Sequence, residues 1–287
     1  MFHIFFCVNE LYARQLRVCM ASVLENNRGA DFAFHVLSRD LSDAAKKKIS
    51  KLKICYKNFS VDYALPDEKL FDGLKLNINY ISMDTYFRFA IADMFPEIKV
   101  GLYLDADLVC NGDMTELFAV NIDGFYAAGV SDLYIDHIDY KPKIGFERDE
   151  LYVNAGVLLF NLEKIRKDKM TQKLFDAVKN NEIKFQDQDG LNIAFRSNVW
   201  RLDGKYNLTT SDYNADRSLL LEAKIIHFNG TKKPWDGADA DARVKIWEKY
   251  AKIDEAIQNA YPIFFFLLPL FLARFFWSVK QFLYFLR

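Results

Sequence analysis

The chain is poor in the features that mark several large protein classes. Its 287 residues include four cysteines, without a C-x-x-C pair, and the formal net charge is −1. Scattered cysteines in apolar segments indicate free thiols in a reducing compartment rather than a disulfide framework. A charge near zero argues against a dedicated nucleic-acid-binding protein, so we expect no nucleic-acid partner.

The N-terminal region lacks glycine-rich phosphate loops and a secretion signal. No G-x-G-x-x-G follows the first apolar segment, which disfavours a dinucleotide fold of the dehydrogenase type. The chain begins with apolar residues at once, without the basic region and small-residue cleavage site of a signal peptide. We therefore interpret the start as a first strand and expect the catalytic part to be cytoplasmic.

What the chain does have is apolar bulk. It is 51% hydrophobic and 16% aromatic, enough for a sizeable core in one large domain. The composition changes near residue 261, where a run rich in phenylalanine and leucine begins. We therefore divide the chain into a catalytic domain, residues 1–260, and a tail, residues 261–287.

Alternating apolar and amphipathic segments predict an α/β fold. We expect strands at residues 2–8, 32–38, 54–63, 100–105, 125–130, 153–160 and 223–228, and helices at residues 12–26, 42–52, 84–95, 161–180, 187–196 and 240–260. The β-α-β-α-β order at the start is typical of the nucleotide-binding half of a doubly wound sheet.

One strand ends in a pair of carboxylates, Asp105 and Asp107, with apolar residues on both sides. Burying two carboxylates together is unfavourable without a cation, and hard oxygen ligands suit Mg²⁺ or Mn²⁺. The same Asp-x-Asp spacing recurs at residues 187–189 and 239–241, so the pattern alone is weak evidence. We interpret the last pair as solvated charges before a helix.

Four motifs in order carry a family resemblance. They lie at residues 103–107, 152–162, 185–192 and 227–235. Together they resemble family 8 of the retaining glycosyltransferases, which includes lipopolysaccharide α-galactosyl- and α-glucosyltransferases and glycogenin. The likeness covers about residues 2–250. It implies a GT-A-type fold with a mixed, mainly parallel central sheet that uses a UDP-sugar and Mn²⁺, with Mg²⁺ as the alternative ion.

The resemblance implies a ligand set and a phosphate site. Asp105 and Asp107 match the metal motif, and His227 matches the third protein ligand, although a lone strand-borne histidine is more often structural. Two carboxylates and an imidazole leave octahedral positions for diphosphate oxygens and water. Gly230 would let the backbone approach a phosphate, and Lys233 would supply a point charge.

The match to the family pattern is weaker at the residues expected to bind the nucleotide. Tyr12 matches a uracil-stacking position, and Asn9 could hydrogen-bond the base, although Asn-Glu-Leu stands where the family has an Asp-Asp-Asn type of run. Arg88 matches an arginine near the donor sugar and diphosphate. A structural salt bridge is an alternative role for Arg88 and is compatible with the first.

The resemblance also implies a reaction centre. Asn154, Ala155, Asp187 and Gln188 match positions at the donor sugar, and Asp132 matches one near the acceptor. Alternatives are a capped strand bend for Asn154 and a helix N-cap for Asp187. Because an amide such as Gln188 is a poor nucleophile, we favour a front-face route to retention. A covalent role for Asp187 stays open.

The tail predicts a membrane contact. Its unbroken apolar run, residues 263–273, is too short for a span of about 20 residues. Basic residues recur near every seventh position of the remainder, as on one side of a helix. We expect an amphipathic helix peripherally attached to the cytoplasmic face of the inner membrane. A helix packed on the core and a transmembrane anchor are the alternatives.

The sequence thus predicts a metal-dependent retaining transferase. It would move galactose or glucose from a UDP-hexose to a glycan or glycolipid acceptor, in lipopolysaccharide or lipooligosaccharide core. Two other classes remain. A sugar-nucleotidyltransferase should have a glycine-rich loop near the N-terminus, and residues 7–15 contain no glycine. A non-catalytic carbohydrate- or membrane-binding relative should have lost an acidic ligand or His227.

Overall fold

The computed structural model describes residues 1–78, 82–237 and 241–260. The strands are β1 (Phe2–Cys7), β2 (Phe32–Leu37), β3 (Phe59–Ala64), β4 (Val100–Leu104), β5 (Leu108–Cys110), β6 (Ala127–Ser131), β7 (Val153–Asn161), β8 (Val199–Arg201) and β9 (Ile225–His227). The helices are α1 (Ala13–Asn26), α2 (Asp43–Ser50), α3 (Ile91–Met94), α4 (Leu133–His137), α5 (Leu162–Lys167), α6 (Met170–Asn180), α7 (Gln186–Ala194), α8 (Thr210–Ala215) and α9 (Ala242–Asn259).

The central sheet has seven strands in the order β3-β2-β1-β4-β7-β6-β8. The pairs among β3, β2, β1 and β4 are parallel, β7 is antiparallel to both of its neighbours, and β8 is parallel to β6. This confirms the mixed, mainly parallel sheet. The carboxyl ends of β1, β4 and β6 and the amino end of β7 therefore share one edge of the sheet.

The inner strands are apolar on both faces because both faces are covered. In β1, Ile4 and Phe6 belong to the core on the α1 side, with Leu16. Phe5 belongs to the opposite core, where its ring lies edge-on to Phe95 with centroids 5.1 Å apart. The strand's alternation thus joins two hydrophobic layers through the sheet.

A second, two-stranded sheet pairs β5 with β9 in antiparallel register, with Leu108 opposite His227. The late helix α9 packs on α1 through a buried ion pair, with Arg17 Nε 3.1 Å from Asp254 Oδ1. The contact between α9 and α1 brings the last described helix back to the first βαβ unit.

Several elements differ locally from the sequence expectation. The third strand begins at Phe59, because a 3₁₀ helix over Lys51–Ile54 continues α2. Most of the expected helix at 84–95 is a 3₁₀ helix, Met83–Ala90, before α3. The expected helix 161–180 divides at Lys169, whose φ is +53°. The short strands β5 and β8 were not predicted from the sequence.

The expected amphipathic tail, residues 261–287, lies outside the described residues. Among the helices at 1–78, 82–237 and 241–260, none combines the length and apolar character that crossing a membrane requires.

Candidate active site

A cleft of about 710 Å³ opens where the strand ends converge. Every candidate residue named above lines it: Asn9, Tyr12, Arg88, Asp105, Asp107, Asp132, Asn154, Ala155, Asp187, Gln188, His227, Gly230 and Lys233. The geometry thus brings together residues that are up to 224 positions apart in the sequence.

Three side chains form a potential cation site. Asp105 follows β4, Asp107 precedes β5, and His227 ends β9. His227 Nε2 lies 3.2 Å from Asp107 Oδ1 and 3.6 Å from Asp105 Oδ2. One ligand atom from each residue lies within 4.8 Å of the other two. The pairing of β5 with β9 creates this cluster, because it places the strand-end histidine beside the loop that carries both carboxylates.

The donor set fits a hard divalent ion. His227 is buried, and its Nδ1 lies 3.0 Å from Asn207 Oδ1, an oxygen that can only accept. Nε2 is therefore the nitrogen left to coordinate, and it faces two carboxylates. Such a site could hold Mn²⁺ or Mg²⁺ through two oxygens and one imidazole nitrogen.

Lys233 lies against the same cluster. Its Nζ is 2.6 Å from Asp107 Oδ2 and 2.8 Å from the carbonyl oxygen of Phe228. Burial favours the neutral form of Asp107, yet Lys233 and His227 hold the pKa of that carboxyl well below its usual value. Burial likewise works against the Lys233 charge, and Asp107 outweighs it and raises the lysine pKa. Its neighbour Lys232 is solvent-exposed.

Arg88 lies between the candidate cation cluster and Asp187. Its Nη2 is 3.0 Å from Asp105 Oδ1, its Nε is 3.1 Å from Asp187 Oδ2, and its Nη1 donates to the Ala155 carbonyl at 2.7 Å. The salt-bridge role and the cleft position are therefore both present. Burial, reinforced by repulsion from Asp105 and opposed by Arg88, raises the pKa of Asp187 to about 6.

Gln188 is held at both ends of its amide. Its Oε1 accepts from Ala155 N and its Nε2 donates to Asp132 Oδ2, each at 3.0 Å. Asn154 Nδ2 also donates to Asp132 Oδ2 at 3.0 Å. Burial raises the pKa of Asp132, although these donors oppose the shift. The side chains of Gln188, Asp132 and Asn154 form one polar wall of the cleft.

The first turn of α7 is fixed from behind by Asp189. This fully buried carboxylate accepts from the hydroxyls of Tyr140 and Tyr152 at 2.8 and 2.5 Å, and from Phe185 N at 2.7 Å. Because α7 begins at Gln186, Asp187 lies within its first turn and is not its N-cap. Asp189 anchors the turn, while Asp187 and Gln188 line the cleft.

Asn9 and Tyr12 line another part of the cleft, where Asn9 caps a 3₁₀ helix over Glu10–Tyr12, because its Oδ1 accepts from Tyr12 N at 3.3 Å. The ring of Tyr12 lies edge-on to Trp235 with centroids 5.9 Å apart. Gly230 has a φ of +90°, a conformation that favours glycine. The side-chain oxygen of Asn9 thus has a structural partner in addition to its place in the cleft.

Sequence reasoning missed several residues that support the site. Tyr103 donates to Asp105 Oδ1 at 2.6 Å, and Thr85 donates to Asp187 Oδ1 at 2.8 Å. Tyr103 lies within the first motif, and Thr85 lies three residues before Arg88, so both are close in sequence to residues already named as candidates. Asn207, which contacts His227, lies outside every motif, and no local pattern indicates it.

Comparison with known proteins agrees with this geometry. The chain matches the family described as glycosyl transferase family 8 over residues 3–239. It is 30% identical over 280 residues to a lipopolysaccharide 1,2-glucosyltransferase of Escherichia coli, covering 91% of this chain and 78% of the relative. It is 29% identical to a lipopolysaccharide 1,3-galactosyltransferase of Salmonella typhimurium, covering 82% and 73%.

A solved structure of the galactosyltransferase LgtC, in complex with donor and acceptor sugar analogues, superimposes with a TM-score of 0.78 at 26% identity. The match covers 87% of this chain and 95% of LgtC. The fold is therefore of the GT-A type, as the resemblance implied. The chain belongs to glycosyl transferase family 8 and is a glycosyltransferase, a class that acts on a nucleotide-sugar donor and a glycan acceptor.

Gly156 generates a prediction about the cation site. A Cβ added there would come within 2.7 Å of His227 Nδ1 and 2.9 Å of Asp105 Oδ2, so Gly156→Ala should displace the ligands. Gly101→Ala is a matched control on β4, where a Cβ would meet Phe5 instead. Overpacking should destabilise both variants by about 1–3 kcal/mol in urea unfolding.

The two variants should differ in cation binding. Only Gly156→Ala should lose Mn²⁺ binding in calorimetry. Equal Mn²⁺ affinity in the two variants would contradict the placement of the cation site at Asp105 and His227.

Proposed function

We propose that this glycosyltransferase moves a hexose, galactose or glucose, from UDP-hexose to lipopolysaccharide or lipooligosaccharide core with retention of anomeric configuration. The observation that carries the proposal is the single cleft in which the Asp105–Asp107–His227 cluster adjoins Asp187 and Gln188. The glucosyl- and galactosyltransferase relatives support the choice of hexose and acceptor.

The donor would lie with its diphosphate at the cation cluster and Lys233. A bound divalent ion, Mn²⁺ or Mg²⁺, would supply positive charge for the diphosphate. Tyr12 would stack on the uracil, with Asn9 beside it, and Gly230 would let the backbone approach a phosphate. These roles extend from the nucleotide end of the cleft toward Arg88 and the donor sugar.

Transfer would occur on one face of the sugar. The bond between the anomeric carbon and the diphosphate oxygen breaks, and the acceptor hydroxyl oxygen bonds to that carbon on the same face. Its proton passes to the leaving phosphate oxygen. The carbonyl oxygen of Gln188 would stabilise the positive charge that develops on the sugar ring. Asp187 is engaged by Arg88 and Thr85, which favours an electrostatic role over attack on the sugar.

The acceptor side would involve Asp132 and Asn154. Asp132 accepts hydrogen bonds from both Gln188 and Asn154, so its carboxylate is already held in place when an acceptor hydroxyl reaches it. We assign residues 1–260 to the catalytic domain and residues 261–287 to a segment that attaches it to the cytoplasmic face of the inner membrane. A membrane-bound enzyme would have its lipid-linked acceptor close by.

A donor panel tests the proposal. The purified chain should release UDP from UDP-galactose or UDP-glucose with Mn²⁺ and truncated core oligosaccharide, and EDTA should abolish release. UDP-N-acetylglucosamine serves as a third donor, and Asp105→Ala as the inactive control. Proton NMR of the first product should show an α-linkage. A β-linkage would contradict retention. Pyrophosphate release from UTP and a sugar phosphate would instead indicate a nucleotidyltransferase, and inactivity in every arm a non-catalytic relative.

Lys233 yields a second prediction. Because its ammonium lies in the cleft against Asp107, Lys233→Ala should remove charge at the leaving diphosphate and lower kcat/KM by about 100-fold, or ~3 kcal/mol. Lys232→Ala is the adjacent control and should stay within a few-fold of the parent. Initial rates of UDP release measure both. Small, equal losses would mean that the diphosphate does not depend on Lys233.

The tail yields a third prediction. Full-length protein should sediment with vesicles containing anionic phosphatidylglycerol, and truncation after Tyr261 should abolish sedimentation while turnover on a soluble acceptor persists. A matched variant, Arg274→Glu with Lys280→Glu, keeps the apolar residues and should bind these vesicles less tightly. Full-length protein that remains in the supernatant with vesicles would contradict membrane attachment.

A further inference from the structure

Asn207 is a fully buried amide behind the cation cluster, in the segment between β8 and α8. Its Oδ1 lies 3.0 Å from His227 Nδ1, and its Nδ2 donates to Asn154 Oδ1 at 2.9 Å. One side chain therefore contacts both a candidate cation ligand and a residue of the reaction centre.

The direction of these hydrogen bonds is set at Asn154. The backbone N–H of Gly156 can only donate, and it lies 3.0 Å from Asn154 Oδ1. The other end of the same amide, Nδ2, donates to the Asp132 carboxylate. Since Asn154 Oδ1 must accept, Asn207 must present its Nδ2 to Asn154 and its Oδ1 to His227.

This orientation determines the imidazole tautomer. An amide oxygen opposite Nδ1 requires a proton on Nδ1, which leaves the Nε2 lone pair facing Asp105 and Asp107. A partner on the far nitrogen also fixes the ring plane, and loss of such a partner typically costs 10–100-fold in metal affinity.

We infer that Asn207 is a positioning residue that sets the tautomer of His227 and, through Asn154, ties the cation cluster to Asp132 and Gln188. The hydrogen-bond chain then runs from His227 through Asn207 and Asn154 to Asp132, with every member buried. Its consequences for cation binding and transfer rest on the proposed function, but the tautomer itself does not.

The tautomer is tested on the full-length, metal-free protein. The chain has four histidines, so the ring nitrogens can be assigned by ¹⁵N NMR across a pH titration. In the neutral imidazole of His227 we expect the proton on Nδ1. Asn207→Leu should move it toward Nε2, where the carboxylates can accept it. A proton on Nε2 in the parent protein, or unchanged ring shifts in the variant, would overturn the inference.

Two variants separate the halves of the amide, with Mn²⁺ as the probe and electron paramagnetic resonance as the readout. Asn207→Leu should weaken Mn²⁺ binding by tenfold or more. Asn207→Asp should keep Mn²⁺ affinity within a few-fold, because a carboxylate still accepts from Nδ1. It should lower kcat more than tenfold, because a carboxylate cannot donate to Asn154.

Asn27→Leu is the matched structural control. Asn27 is buried, donates to the Val23 carbonyl at 2.8 Å, accepts from Met114 N at 3.0 Å, and is not among the cleft residues. It should lower Tm yet retain Mn²⁺ affinity. If Asn207→Leu binds Mn²⁺ as tightly as Asn27→Leu, the inference fails. If the parent protein releases no UDP, the proposed function fails, while the NMR and Mn²⁺ measurements still decide the role of Asn207.

Discussion

The site depends on the confinement of like charges. Asp105, Asp107 and Asp187 line one cleft, and Arg88 and Lys233 are the cations in direct contact with them. Buried carboxylates repel one another and lose hydration, so their arrangement is stable only where fixed positive charge lies between them. Arg88 lies between Asp105 and Asp187, and Lys233 contacts Asp107. Three carboxylates against two cations leave one uncompensated negative charge, which favours the binding of a further cation.

The sheet makes this confinement possible. In the parallel half, β1 and β4 end at the same edge, as in other nucleotide-binding α/β folds. The antiparallel strand β7 then begins at that edge, which places Asn154, Ala155 and Gly156 beside the end of β4. Asp105 N donates to the Gly156 carbonyl at 2.9 Å, so the acidic loop is fixed to β7 by its backbone. The β5–β9 pair places His227 beside the same loop.

The strands before the acidic loop could be predicted from local periodicity, and the candidate residues from their match to family positions. The structure then places all of those candidates in one cleft. The sequence could not predict contacts that exist only after folding. Asn207 belongs to no motif, and its importance follows from two partners 20 and 53 residues away. The backbone at Lys169, with positive φ, divides a segment whose apolar spacing reads as one helix. Asp189, the second carboxylate of the Asp-x-Asp pair at residues 187–189, is a structural anchor because it accepts hydrogen bonds from two tyrosine hydroxyls.

Because Arg88 pairs with both Asp105 and Asp187, the acidic cluster and Asp187 form one electrostatic unit. Arg88 divides its charge between Asp105 and Asp187, and repulsion from Asp105 contributes to the raised pKa of Asp187. A positive charge placed next to Asp105 reduces that repulsion and leaves more of the Arg88 charge for Asp187. Under the proposed function, binding of a divalent ion beside Asp105 would therefore also favour ionisation of Asp187. The hydrogen-bond chain through the uncharged amides of Asn207 and Asn154 is a second connection, which joins His227 of the acidic cluster to Asp132.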